Sequence, residues 1–179
     1  MQTLGFFMPH PRRFQRSSTQ GFTLLELLVC LSVLAVVASL AIPSWQRLQE
    51  RSRVEAARDQ LVNDLQNARV RAMQQGEALQ LTPLLDCTWR TSSNKDWSCG
   101  WQLIVKVDLT VLQTSQLQTP LRVTFAKSDP LEINQRGDLG TVGERWVIQS
   151  RQTALNIANV LCLSSASRLC WQSGETCSS

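Results

Sequence analysis

Hydrophobic and polar positions change their rhythm three times along the chain. Residues 1–21 are polar and basic, carrying Arg12, Arg13 and Arg16. Then Phe22 to Ile42 runs for twenty-one residues with one charge, Glu26, and only Thr23, Ser32 and Ser39 otherwise polar. About 20 apolar residues at ~1.5 Å each suffice to cross a bilayer as a helix, and small hydroxyls can bond back to its backbone. From Pro43 the pattern becomes periodic: Val54, Ala57, Leu61, Leu65, Ala68 and Ala72 step by 3, 4, 4, 3 and 4. That spacing draws one apolar stripe on an otherwise charged helix.

No glycine falls between Gly21 and Gly76, and the only proline there is Pro43. The simplest reading is one helix from Phe22 to about Gln75, ~80 Å long, kinked near Pro43 and stopped by Gly76. Trp45 and Leu48 extend the stripe toward the membrane interface, where amphipathic aromatics are favoured. A free coiled coil is the rival, but alanine dominates the stripe and the heptads do not persist.

After Gly76 the period shortens. Ala78–Leu85, Gly100–Val107, Leu121–Ala126, Arg145–Gln149 and Leu155–Leu163 are short runs rich in Val, Ile and Leu. Thr91–Asp96, Thr114–Pro120, Gln135–Gly143 and Ser164–Ser167 separate them as turns. A helix followed by strands predicts an α+β domain, with an antiparallel sheet covering the stripe. The expected organisation is 1–21 as a leader, 22–42 as the membrane half of the helix, 43–76 as its amphipathic half, and 77–179 as a β-rich domain.

Charge changes the picture little. The chain has 179 residues, 18 Lys+Arg and 14 Asp+Glu, but three of the arginines lie in residues 1–21. The remainder holds 15 basic against 14 acidic residues, so composition alone makes no case for nucleic acid. Basic residues ahead of the span place the N-terminus in the cytoplasm and the rest outside that membrane. Five of six cysteines, Cys87, Cys99, Cys162, Cys170 and Cys177, fall in that exported part, where disulfides form. Zinc is disfavoured because no C-x-x-C pair exists. Cys30 lies in the span and reads as a small apolar residue. The only histidine, His10, is in the leader. Ser–His and Cys–His nucleophilic pairs are therefore excluded beyond it, while carboxylate or lysine catalysis is not.

The junction Gln20-Gly21-Phe22, the carboxylate of Glu26 and the helix proline Pro43 resemble the class III signal of type IV pilins and type II secretion pseudopilins. The resemblance implies cleavage after Gly21 by a prepilin peptidase, N-methylation of Phe22, and assembly with other pilin or pseudopilin subunits through the helix, Pro43 included. It also implies the pilin fold: a long N-terminal helix, its upper half in the bacterial inner membrane, packed on an antiparallel sheet in the periplasm. A plain signal anchor, or a secretory signal cleaved near Ser39-Leu40-Ala41, is the rival, but such a signal has a shorter apolar core. Within the domain, Trp97, Gly100 and Trp101 in the stretch 86–105, and INQRGDLG at 133–140, resemble the GspH/FimT branch. That branch includes the type II minor pseudopilin H and the minor pilin FimT.

The resemblance gives Glu26 a role: its carboxylate pairs with the free N-terminal amine of a neighbouring subunit. A carboxylate in lipid needs such a cation; snorkelling to the interface is the alternative. Cys87 and Cys99 enclose an 11-residue polar loop and are expected to pair. Cys162–Cys170 across a hairpin and Cys170–Cys177 as a tail clasp are equal rivals. Where FimT-type pilins carry a Gly-Arg-x-Arg motif that binds DNA, this chain has Ser167-Arg168-Leu169-Cys170. Arg168 is thus a candidate contact to double-stranded DNA, with an ordinary surface arginine as the alternative. Beyond Gly76, basic and acidic residues balance at nine each. Asp129, Glu132 and Asp138 lack the alternating oxygens of a calcium loop. No metal or cofactor is expected. The overall expectation is a non-enzymatic minor subunit of a type IV pilus or type II pseudopilus, with a DNA-uptake receptor as the second reading.

Overall fold

A computed structural model of the chain describes residues 21–140, 143–164 and 168–177. The leader residues 1–20, with His10 and the three arginines, lie outside the described residues, as does Ser167. The chain divides into two compact units, Met1–Ala41 and Ile42–Ser179.

One helix, α1, spans Leu24–Gln75 and passes through Pro43. In the first unit its large apolar side chains are exposed, from Leu24 at 86% to Val29 at 52%. No described residue of that unit buries them. The stretch is long and apolar enough to cross a membrane. Ser32 and Ser39 donate to the carbonyls of Val29 and Val36, each at 2.7 Å, so neither hydroxyl is left bare.

The second unit is a helix with two antiparallel sheets. Eight strands follow: β1 Leu79–Pro83, β2 Gly100–Val105, β3 Val111–Gln116, β4 Leu121–Phe125, β5 Leu131–Ile133, β6 Arg145–Ser150, β7 Ala158–Leu163 and β8 Leu169–Ser173. They form sheets of order β3-β2-β1-β5 and β4-β6-β7-β8. The stripe Val54, Ala57, Leu61, Leu65, Ala68 and Ala72 is buried to 3% exposure or less and belongs to one core with both sheets. The expected α+β arrangement of a long helix on antiparallel sheet is thus seen, with the strands divided between two sheets. The stripe also starts later than expected, since Trp45 and Leu48 are 69% and 61% exposed and join no core. Gly76 ends the helix with a positive φ of 67°, and its N–H bonds the Ala72 carbonyl.

Trp97, Phe125 and Trp146 form the aromatic centre of this core, with ring centroids 4.3 to 5.7 Å apart. Gly100 starts β2 with φ 105°, and a Cβ there would sit 2.1 Å from the Ser115 carbonyl oxygen. No other residue fits that approach of β3 to β2.

Candidate functional site

The first candidate is the N-terminal junction. A side chain at Gly21 would meet nothing within 4 Å, so the glycine answers no packing demand of the folded chain. Thr23 caps the helix: the Glu26 N–H donates to its Oγ at 3.2 Å, and the Leu27 N–H to its carbonyl at 3.1 Å. Thr23 and Glu26 thus stand at the positions of a T-x-x-E capping box. The sequence reading missed this local role, although the spacing was there to find it. A first-turn carboxylate also favours the positive end of the helix dipole. Glu26 is exposed and forms no ion pair among the described residues, so its charge is available to an outside cation.

In the second unit, polar side chains on α1 tie it to the sheets. The Asp64 carboxylate accepts from Trp101 Nε1 at 2.8 Å, Gln113 Nε2 at 2.7 Å and Ser115 Oγ at 2.7 Å. Glu50, 7% exposed, accepts from Ser150 Oγ at 2.7 Å and from Arg53 at 2.5 Å. Arg58, 9% exposed, lays its guanidinium 4.0 Å from the centre of the Trp171 ring. Arg69 Nε donates to the Gly137 carbonyl at 2.7 Å.

The structure links Cys87 to Cys99, with Cα atoms 5.5 Å apart, around the 88–98 loop. Asp96 organises that loop. Its carboxylate accepts from the Thr91 N–H and hydroxyl and from the Ser98 N–H at 2.5–2.9 Å. Burial raises its pKa, but the bonds from Ser98 and Thr91 outweigh this and hold it below the ordinary value.

At the C-terminus neither expected pairing forms. Cys162 bonds Cys177, with Cα atoms 6.0 Å apart, and Cys170 is a free, exposed thiol. Cys170 does stand opposite Cys162 in the β7–β8 register. The pair is a hydrogen-bonded one, however, as the Ser164–Arg168 and Ala158–Gly174 bonds two and four residues away show. Side chains stand farther apart at such pairs than at the alternate ones. The chain reverses at Gly174, φ 107°, and carries Cys177 back over β7 instead. Val160 and Cys162, on the face of β7 that looks away from α1, are accordingly buried.

That same outer face carries the basic residues. Lys95 and Arg145 line a 420 Å³ concavity with Ser93, Thr124 and Val147, and no carboxylate lines it. Arg122 lies on β4 two residues from Thr124. Arg168 is exposed at the start of β8, bonded through its carbonyl to the Ser164 N–H. None of these four cations is in an ion pair among the described residues. Folding thus brings Lys95 and Arg145, far apart in sequence, to one concavity.

The acidic trio does not converge. Glu132 pairs with Lys106 at 2.8 Å, which holds its carboxyl below the usual range, and Asp138 bonds Asn134 at 3.2 Å. Among the described residues no three candidate ligands group around a metal position.

The class of fold is that of pilins: a long N-terminal helix on antiparallel sheets. Residues 16–42 match the prokaryotic N-terminal methylation motif. The fold is similar to that of the type IV minor pilin FimU of Pseudomonas aeruginosa in two crystal forms. In the P21 form the TM-score is 0.57 at 21% identity, covering 72% of this chain and 98% of FimU. In the P65 form it is 0.54 at 21% identity, covering 69% and 99%. Comparison with curated proteins gives no sequence match.

Proposed function

We propose that the chain is a minor pilin-type subunit, structural rather than catalytic. A prepilin peptidase removes residues 1–21, Phe22 is N-methylated, and the helix enters the bacterial inner membrane with the domain on the periplasmic side. Other pilin or pseudopilin subunits then pack against Phe22–Ile42 and Pro43, and Glu26 meets a neighbour's terminal amine. One observation supports this reading: the methylation motif at 16–42 overlaps the start of α1, where the large apolar side chains from Leu24 to Val37 are exposed, and α1 continues into a domain whose fold is similar to that of FimU. Its place is in priming assembly, or at the tip, of a type IV pilus or type II pseudopilus. A deletion strain scored for pilus-dependent motility and for release of secreted hydrolases separates the two machines. Normal motility together with normal secretion would refute both.

The concavity of Lys95 and Arg145, with Arg122 and Arg168 as exposed cations on the same sheet, supports a second reading, a pilus-associated receptor for double-stranded DNA. Gel shifts over a salt series test it. DNA binding must weaken steeply with salt, and Arg145→Gln and Arg168→Gln must each flatten the slope. Absence of binding at low salt retires this reading and leaves the structural one intact.

A further inference from the structure

Cys170 has no disulfide partner, its thiol only donating to the Cys162 carbonyl at 3.7 Å, in a domain whose other exported cysteines are all paired. Its strand is also the last of its sheet, β4-β6-β7-β8. The bonds Ser164–Arg168 and Gly174–Ala158 set the ladder phase: even-numbered residues of β8 bond β7, so the N–H and C=O groups of Leu169, Trp171 and Ser173 point to the open edge. That edge carries no proline and no lysine, the usual guards against strand addition.

We propose that the open edge of β8 pairs antiparallel with β8 of a second copy, and that Cys170 of each copy joins the other in a disulfide. The edge and the thiol select the same register. Outward-pointing residues must form the hydrogen-bonded pairs, so a two-fold axis at Cys170 sets Leu169 opposite Trp171 of the second copy, twice. Cys170 then faces Cys170 at a non-hydrogen-bonded pair, where Cα atoms stand ~4.5 Å apart and side chains lie closest. That distance lies within the range disulfides span. The flanking pairs are self-complementary: Leu169 against Trp171 on one face, Arg168 against Gln172 on the other. An oxidised thiol such as glutathione disulfide accepts the two electrons. Two Cys170 thiols lose their protons, one S–S bond forms, and two glutathione thiols leave. The proposal rests on the reading that the domain is exported to an oxidising compartment.

The test uses the full-length chain in detergent, with Cys30→Ser to remove the thiol in the span. Glutathione disulfide should produce a dimer on non-reducing gels that dithiothreitol reverses. The band should vanish in the Cys170→Ser chain, and digestion should yield a Cys170–Cys170 linked peptide. In the Cys30→Ser, Cys170→Ser background, a mixture of Arg168→Cys and Gln172→Cys chains should cross-link, while Ser173→Cys alone should not. A chain that stays monomeric, with Cys170 open to alkylation or joined to Cys162, overturns the proposal. So does cross-linking that ignores position. The same peptide map reads export separately: Cys87–Cys99 and Cys162–Cys177 formed beside a monomeric Cys170 preserve export and defeat only the strand pairing. All thiols reduced in freshly alkylated cells defeats the export reading itself.

Discussion

Asp64 is the residue whose loss should loosen the helix from the sheets most directly. Its carboxylate takes three donors, from Trp101, Gln113 and Ser115, at 2.7 to 2.8 Å. Trp101 and Ser115 are 1% and 7% exposed, so in Asp64→Ala their N–H and O–H lose an acceptor with little access to water. Each stranded buried donor costs about 1–3 kcal/mol, while the Gln113 amide can turn outward. The expected loss is about 2–6 kcal/mol. For a domain of this size that lowers Tm by roughly 3–5 °C per kcal/mol. Glu55→Ala is the control, because its ion pair with Arg51 is exposed on both sides, 38% and 68%, and exposed pairs contribute about 0–1 kcal/mol. Urea unfolding followed by near-UV circular dichroism, which reports the tryptophan environment, measures both. An Asp64→Ala chain within about 0.5 kcal/mol of the parent, the range of ordinary surface changes, would refute the reasoning.

Three further outcomes follow from the same packing. Gly100→Ala should cost about 2–5 kcal/mol, combining a positive φ with a Cβ pressed against the Ser115 carbonyl; thermal unfolding checks it. Cys177→Ser should destabilise by about 2–4 kcal/mol, whereas Cys170→Ser should leave unfolding unchanged in the monomer with its two internal disulfides formed; a reversed order would mean that the 162–177 link does not form. Asp96 has a folded pKa below its ordinary 3.8, so its contribution is fully present above that value and is lost as pH falls through the lower folded value. The stability gap between the parent and Asp96→Asn should therefore be constant near neutrality and close below about pH 4; a gap that widens on acidification would contradict the bonding seen in the loop.

The helix and its buried stripe were legible because a 3.6-residue period is a local signal, and the Asp64 side of that helix was not. The partners of Asp64 lie 37 to 51 residues away in sequence, and nothing near Asp64 announces them. Among the strands, β3 escaped notice because Val111–Gln116 is an edge strand with only Ser115 buried, so its apolar alternation is faint. The same weakness hid β5, which is three residues long, and β8, whose Cys-Trp-Gln run lies on an exposed edge. The 87–99 disulfide encloses a short loop that proximity in sequence reveals. The 162–177 link depends on a reversal at Gly174, and spacing alone could not choose between Cys170 and Cys177. The residues behind the family resemblance in the domain, Trp97, Gly100 and Trp101, proved to be core and close-approach positions, so they speak for the fold and not for a ligand.

Intact-mass and N-terminal peptide analysis of the chain extracted from membranes tests the central claim most directly. The mature polypeptide should begin at Phe22, lack residues 1–21 and carry one added methyl group on its terminal amine. A chain that retains residues 1–21, or one that begins just after Ala41, would contradict that claim.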